Sequence, residues 1–219
     1  MAISLVKGQK IDLRKTTGET LTNFCVGVNW GAIESKGFLG LSKKVQNIDL
    51  DLSCILIDEQ NNVCDHLYSP LYRPEVLQQF NLPKGKLLTV DGALKHTGDD
   101  LQGDSGGDDG LDNEIITVDL SKISSKVTQI FFFLNNAGRE DFSQIPYSKI
   151  RMYEGTPTRV SSVFASYNVS AEAQYAGKQS IIMGKLYKRN DEWKFSAIGD
   201  PTEDTFLGQT IHRIIKSYL

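Results

Sequence analysis

Short segments in which apolar and polar residues alternate account for most of the chain. Every second residue is hydrophobic from Phe24 to Trp30 and again from Ile48 to Cys54. A period of two places one side of each segment against a core, and turn-like residues separate the segments. Further strands are predicted at residues 115–120, 127–135, 150–154, 159–169 and 179–187. This pattern predicts an all-β fold, a β-sandwich of two mainly antiparallel sheets.

The C-terminal end of the chain predicts a hairpin followed by a helix. Residues 186–188 and 193–195 flank a polar connection at 189–192 that has the length of a hairpin loop. From Phe206 to the C-terminus hydrophobic residues recur at a spacing of three to four, with Asp204 as the predicted N-cap. A shorter helix is predicted at residues 74–80, so the sandwich is expected to carry a few short helices.

Length and cysteine usage favour one cytoplasmic domain over residues 1–219. A chain of this length can bury one sizeable core. The three cysteines, Cys25, Cys54 and Cys64, contain no CxxC pair and are odd in number, which fits a reducing compartment. The apolar stretch before Lys7 is too short for a signal peptide, and the run Ile130–Leu134 is far below the ~20 residues that span a bilayer. We therefore expect no direct membrane span.

The acidity of the chain is concentrated in one segment. Residues 99–114 contain seven carboxylates and no Lys or Arg, so the formal net charge of −3 becomes +4 once this segment is set aside. Nucleic-acid binding needs a basic surface that replaces the counterions around phosphates. The charge distribution therefore argues against a nucleic-acid partner.

The acidic segment is also rich in glycine, and this combination suits a calcium site. Carboxylates gathered into one folded loop repel one another unless a cation is present. Calcium accepts six to eight oxygen ligands in flexible geometry, whereas magnesium prefers a strict octahedron, and zinc or copper would require His or Cys ligands. The segment is not an EF-hand, because Ser105 replaces the required glycine and Leu111 stands where the bidentate Glu belongs.

Two interpretations of the acidic residues remain open on spacing alone. The segment could be a solvated loop with no ion. Asp49 and Asp51, however, lie two apart in a strand and therefore on one face, where they could complete a cation site. The alternative is that these two carboxylates belong to an exposed polar face.

Five stretches of the chain, in order, resemble the TerD-like family of tellurium-resistance and stress proteins. They are Ile3–Gly8, Val26–Trp30, Asp49–Ser53, the acidic residues of 96–109 with the following strand 114–120, and the hairpin segments 184–187 and 192–195. The resemblance covers nearly the whole chain. It implies a β-sandwich with calcium bound at paired neighbouring sites, whose ligands come from the Asp-Leu-Asp strand and the acidic loop. Carried over by position, the metal ligands are Asp49, Asp51, Asp99, Asp100, Asp104, Asp108, Asp109 and Glu114.

The chain departs from the family pattern at several places. Gly31 stands where the family usually has Asp, and Gly106 replaces a frequent acidic residue. Residues 110–113 are an insertion before the predicted ligand Glu114, and Asp112 and Asn113 in it are predicted to compensate. The segment 71–94 is longer than usual.

The expected function is that of a calcium-binding, non-enzymatic module in a bacterial stress response such as tellurite resistance. The resemblance implies that it works with other stress and tellurite-resistance proteins, some of them membrane-associated. Two alternatives remain: a metal-dependent hydrolase that uses the same carboxylates, and a protein that binds a small ligand such as a cyclic nucleotide. The motif Gly103–Gly107 matches that of trypsin-like proteases, but neither His66 nor His96 has the sequence context of their catalytic base.

Overall fold

The computed structural model describes residues 3–4, 7–14, 18–36, 43–169 and 173–219. Within these residues the first seven strands are β1 (Ile3–Ser4), β2 (Lys10–Asp12), β3 (Asn23–Trp30), β4 (Ile33–Lys36), β5 (Lys43–Gln46), β6 (Leu50–Asp58) and β7 (Val63–Leu67). They are followed by α1 (Pro74–Gln79), β8 (Leu94–His96), β9 (Glu114–Asp119), β10 (Val127–Asn136), β11 (Ser148–Thr156), β12 (Arg159–Asn168), β13 (Ser180–Arg189), β14 (Glu192–Thr202) and α2 (Leu207–Ser217). Short 3₁₀ helices lie at Phe142–Gln144 and Ala173–Tyr175. Part of the predicted opening strand, residues 5–6, falls outside the described residues.

The strands form two six-stranded sheets, which confirms the predicted sandwich of mainly antiparallel sheets. The first sheet has the order β1-β12-β11-β3-β9-β8, and the second has the order β2-β14-β13-β10-β6-β7. Only the pairing of β1 with β12 is parallel among the described strands. The main core draws on both sheets, with Val28 and Trp30 of the first packed in one cluster with Leu56 and Phe132 of the second. Alternation therefore identified the strands because one face of each points into this core.

Two central strands are buried on both faces. The outer sides of β6 and β10, including Ile55 and Phe131, form a second apolar cluster with Leu77 of α1 and Ile211 of α2. This arrangement explains why alternation gives way to the continuous hydrophobic runs at 55–57 and 131–134. The two helices were predicted close to their observed bounds.

The C-terminal elements differ from the prediction in detail. The strands β13 and β14 pair up to Arg189 and Glu192, so the loop consists only of Asn190 and Asp191, both with positive φ, as in the tight turns that suit hairpins. Asp204 does not cap α2, since the helix begins after Phe206. Asp204 instead accepts two hydrogen bonds from Arg213 of α2, at 2.7 and 2.8 Å.

Among the described residues, no helix has both the length and the apolar character needed to cross a bilayer.

Candidate metal centre

One group of carboxylates, which we call the buried cluster, consists of Asp51, Asp99 and Glu114. One oxygen from each lies within 4.8 Å of the others. Asp51 belongs to β6, Glu114 is the first residue of β9, and Asp99 lies in the loop after β8. Asp51 is 5% exposed and Glu114 is fully buried. The two sheets and the acidic loop therefore meet at this point.

Glu114 connects the acidic loop to the second sheet. Its Oε2 accepts a hydrogen bond from the backbone N–H of Leu52 at 2.7 Å, and its Oε1 accepts one from the N–H of Asp100 at 3.1 Å. The His96 ring lies beside it, with Nε2 3.4 Å from Oε2. Because Nδ1 of His96 accepts from Gly98 N–H, the ring proton lies on Nε2, which donates to Leu52 O at 3.0 Å. The neutral His96 ring therefore links the loop, at Gly98, to strand β6, at Leu52.

In the buried cluster, ionising all three carboxyl groups in the absence of a cation is unfavourable. Burial, and then the proximity of Glu114, raise the pKa of Asp51 well above its usual value. Burial also raises the pKa of Glu114. Among the described residues no Lys or Arg nitrogen lies within 4.0 Å of any of the three carboxylates. A bound cation would supply the missing positive charge.

Asp49 lies next to the buried cluster but outside it. It precedes the first residue of β6 and shares with Asp51 and Asp99 a cavity of about 270 Å³, which we call the acidic cavity. Its Oδ1 atom is buried and has no hydrogen-bond partner among the described residues. Burial, followed by the charges of Asp99 and Asp100, raises its pKa to about 6. Asp49 and Asp51 thus face the same cavity, and neither lies on an exposed polar face.

A second group, the exposed cluster, consists of Asp104, Asp108 and Asp109 in the glycine-rich part of the loop. These carboxylates also bring one oxygen each within 4.8 Å of one another. Neutral donors surround Asp104: Tyr147 donates to Oδ2 at 2.9 Å, and Asn113 donates to Oδ1 at 3.0 Å. The exposed cluster is therefore held by side chains from outside the acidic segment as well as by the loop itself.

Basic residues of β11 already compensate part of the charge near the exposed cluster. Lys149 forms an ion pair with Asp108, and this hydrogen bond is the largest contribution that lowers the pKa of Asp108. Arg151 binds both oxygens of Asp112, at 2.8 and 3.0 Å. The Asp112 carboxylate is therefore paired with Arg151, and among the described residues it belongs to neither cluster.

Two glycines let the loop pack closely against β3. Gly103 has a φ of +70°, and a Cβ there would lie 2.6 Å from the Trp30 ring. Gly31 forms a bridge with Asp104, and a Cβ on it would lie 2.6 Å from Tyr147. A side chain at position 31 would therefore collide with the Tyr147 ring.

The structure brings six of the eight predicted ligands into the two clusters and leaves Asp49 and Asp100 beside them. Asp100 organises the loop, because its Oδ1 accepts the N–H groups of Gln102 and Gly103 at 2.8 and 3.0 Å. Tyr147 and Lys149 were not predicted to take part in the site, because they lie far along the chain from the acidic segment. Their only signal is the pairing of β11 with β3, which places Lys149 opposite Asn29.

The donor atoms of both clusters are carboxylate oxygens, a set that suits calcium or magnesium rather than zinc or copper. The buried, unpartnered oxygen of Asp49 next to the buried cluster adds another oxygen that a hard cation could use. The residues present therefore fit a hard divalent cation such as calcium.

Comparisons with known proteins agree with this picture. The TerD domain model matches residues 1–213. Stress response protein SCP2 of Bacillus subtilis is 32% identical over 98% of this chain and 100% of its own length. Tellurium resistance protein TerD of Serratia marcescens is 29% identical over 91% of this chain and 90% of its own.

A solved structure shows the same fold. The Streptomyces coelicolor protein SCO6318, described as a homologue of telluride resistance protein TerD, superimposes with a TM-score of 0.56. It is 11% identical and covers 84% of this chain and 91% of its own. The family match over almost the whole sequence, with an acidic loop of the predicted kind, leads to one conclusion: the chain belongs to the TerD domain family.

Proposed function

We propose that this protein is a calcium-binding, non-enzymatic module that acts in a bacterial stress response such as tellurite resistance. The observation that carries the proposal is the buried cluster, three carboxylates within 4.8 Å with no Lys or Arg beside them among the described residues. Gathering these charges without a cation costs free energy. The names of the relatives, stress response protein and tellurium resistance protein, support the biological setting.

Calcium would be held by Asp51, Asp99 and Glu114 in the buried cluster, and a second ion by the exposed cluster. A bound ion supplies positive charge that links the acidic loop to β6 and β9. Side chains hold the loop in place. Glu114 accepts hydrogen bonds from the backbones of β6 and of the loop, and His96 Nε2 donates to the backbone of β6. Asp100 accepts from the N–H of Gln102 in the first turn of the loop. Ordering this loop would present one defined surface to a protein partner, a stress or tellurite-resistance protein.

Thermal unfolding of the chelator-stripped protein, titrated separately with calcium and magnesium, tests the proposal. A ligand that binds only the folded state raises its stability by RT ln(1 + [L]/Kd), so calcium should raise the Tm more than magnesium does. Asp99→Asn should reduce the rise, whereas Glu75→Gln, an exposed acidic residue on α1, should leave it unchanged. A Tm that ignores both ions would contradict the proposal.

The non-enzymatic part of the proposal has its own test. The purified protein, with calcium, magnesium or manganese, should give no turnover with phosphoester, ester and peptide substrates. Turnover that disappears with Asp51→Asn would instead favour a metal-dependent hydrolase.

A further inference from the structure

A larger cavity, of about 440 Å³, lies where the second sheet meets its helices. We call it the helix-side cavity, and its lining comes from β6, β7, residues 80–90 and α2. None of its lining residues is among the eight predicted metal ligands. Its volume is in the range of small-molecule sites, and it has room for a ligand of roughly 10–15 non-hydrogen atoms. The helix-side cavity is therefore a candidate ligand site separate from the carboxylates.

Apolar side chains in the lining of this cavity remain open to solvent. Val63 of β7 and Ile215 of α2 are 38% and 39% exposed, and Val90 is 87% exposed. Leu82, also in the lining, is partly buried and packs against the second apolar cluster. Apolar surface that is gathered around a cavity is typical of a binding site. A ligand with an apolar body would cover these side chains and be stabilised by their burial.

The contact between α2 and the end of α1 holds the cavity in a defined shape. Gly208 of α2 packs so closely on Phe80 that a Cβ there would lie 2.3 Å from the ring. The Phe80 ring also lies edge-on to His212, with centroids 6.2 Å apart, and contacts Phe206, with centroids 5.3 Å apart. Because these contacts exist without a ligand, the cavity is preformed.

His66 supplies a hydrogen-bond acceptor to the lining. Its Nε2 lies 3.0 Å from the carbonyl oxygen of Lys84, so Nε2 carries the ring proton and Nδ1 of the neutral ring is an acceptor. Burial lowers the pKa of His66, which favours this neutral form. Nδ1 has no partner among the described residues and is not one of the fully buried side-chain atoms, so a ligand can reach it.

The charges in the lining compensate each other. Lys86 forms an ion pair with Asp65, and both residues line the cavity. Among the described residues, these two are the only Lys, Arg, Asp or Glu side chains in the lining. A charged ligand would lose its hydration without finding a free counter-charge, so the lining favours a neutral ligand.

We propose that the helix-side cavity binds a neutral apolar molecule that carries one hydroxyl group, an alcohol or a phenol. The hydroxyl group donates to Nδ1 of His66, and the apolar body contacts Val63, Leu82 and Ile215. This assignment uses both properties of the lining, its apolar surface and its one acceptor. It does not depend on calcium, since the predicted metal ligands lie elsewhere.

Calorimetry and thermal unfolding of the full-length protein test the proposal with 4-butylphenol as the probe. It should bind with a stoichiometry of one and raise the Tm. 4-Butylanisole, whose oxygen has no proton to donate, should bind roughly two- to tenfold more weakly, and the anion 4-butylbenzoate should also bind more weakly. Absence of 4-butylphenol binding, or equal or tighter binding of either analogue, would overturn the proposal.

Cys64 reports whether the probe occupies this cavity. It lines the cavity and is exposed, whereas Cys25 and Cys54 are buried. Saturating 4-butylphenol should therefore slow the reaction of Cys64 with 5,5′-dithiobis(2-nitrobenzoate), with the midpoint at the calorimetric Kd. An unchanged rate would place the probe elsewhere and refute the site. A rate that falls with protein concentration, but not with the probe, would show that a second copy covers the cavity instead.

Two variants test the two parts of the site. Val63→Trp, which fills the cavity, should abolish 4-butylphenol binding but keep the calcium-induced rise in Tm. The matched control is Val45→Trp, at a strand valine that is 40% exposed and does not line the cavity, and it should change neither.

His66→Phe keeps an aromatic ring against Tyr68, on which His66 is stacked, but removes the acceptor. The preference for 4-butylphenol over 4-butylanisole should disappear in this variant. A preference that survives would refute the role of Nδ1, and probe binding that survives Val63→Trp would refute the site.

Discussion

The two carboxylate clusters contain the same number of acids but differ in their surroundings. The buried cluster lies between the sheets, and the neutral ring of His96 lies beside it, with Nε2 3.4 Å from Oε2 of Glu114. The exposed cluster faces solvent, and Lys149 already pairs with one of its three carboxylates. Solvent and salt weaken charge interactions at the exposed site, whereas burial strengthens them at the other. The burial of the acids, more than their number, therefore determines how strongly a cation is needed.

The largest effect is expected at Glu114. Glu114→Ala removes the acceptor of two backbone N–H groups, those of Leu52 and Asp100, as well as a carboxylate of the buried cluster. We expect a loss of about 2–4 kcal/mol in the free energy of unfolding in the presence of calcium, measured by urea denaturation. Glu114→Gln, which keeps one acceptor oxygen, should lose less. Equal losses for both variants would show that the hydrogen bonds to the backbone are not the cause.

A change of opposite sign is expected at Asp51 in the absence of calcium. Asp51→Asn removes a buried charge with a raised pKa, and its oxygen can still accept from Tyr72. The calcium-free protein should become more stable by about 1 kcal/mol, while most of the calcium-induced rise in Tm disappears. Thermal unfolding with and without calcium measures both quantities. A variant that is less stable without calcium would contradict the view that charge repulsion dominates this cluster.

The smallest effect is expected at the exposed cluster. Lys149→Met removes the cation that competes there for Asp108. Since an exposed ion pair contributes about 0.2–1 kcal/mol, calcium binding at this cluster should tighten by only about 1.4- to fivefold, as measured by calorimetry. Lys122→Met serves as the control, because Lys122 forms a surface ion pair with Asp119 outside the acidic segment. Weaker calcium binding in Lys149→Met would mean that Lys149 organises the loop rather than competing with the ion.

Most of the fold could be predicted because its strands obey a simple period. Residues such as Val28 and Leu56 alternate with neighbours that face away from the core. The helices on the second sheet were predicted from their own spacing, but their packing on β6 and β10 was not, since periodicity gives no partner. The predicted N-cap role of Asp204 was wrong because α2 begins at Leu207, and the Asp204 carboxylate pairs with Arg213 inside the helix instead.

The candidate site was predictable only in part. The acidic segment and the Asp49/Asp51 pair stand out in the sequence, but their division into two clusters depends on how the loop folds over β3. Lys149 reaches Asp108, and Asn135 lines the acidic cavity, because of strand pairing, with Asn135 opposite Asp51 across the sheet. Such cross-strand neighbours are far apart in the chain, so single-sequence patterns cannot reveal them.

Strand β6 is covered by apolar clusters on both faces, and this slows the exchange of its amide hydrogens with solvent. A strand that is paired on both edges and covered on both faces exchanges its amide hydrogens only when much of the protein unfolds. The N–H of Leu52 lies in this strand and donates to Glu114, so its protection factor reports on the metal site and on global unfolding together. An ion bound there can leave through the acidic cavity, which Asp51 and Asp99 line, so the ion should exchange faster than the amide hydrogen of Leu52 does.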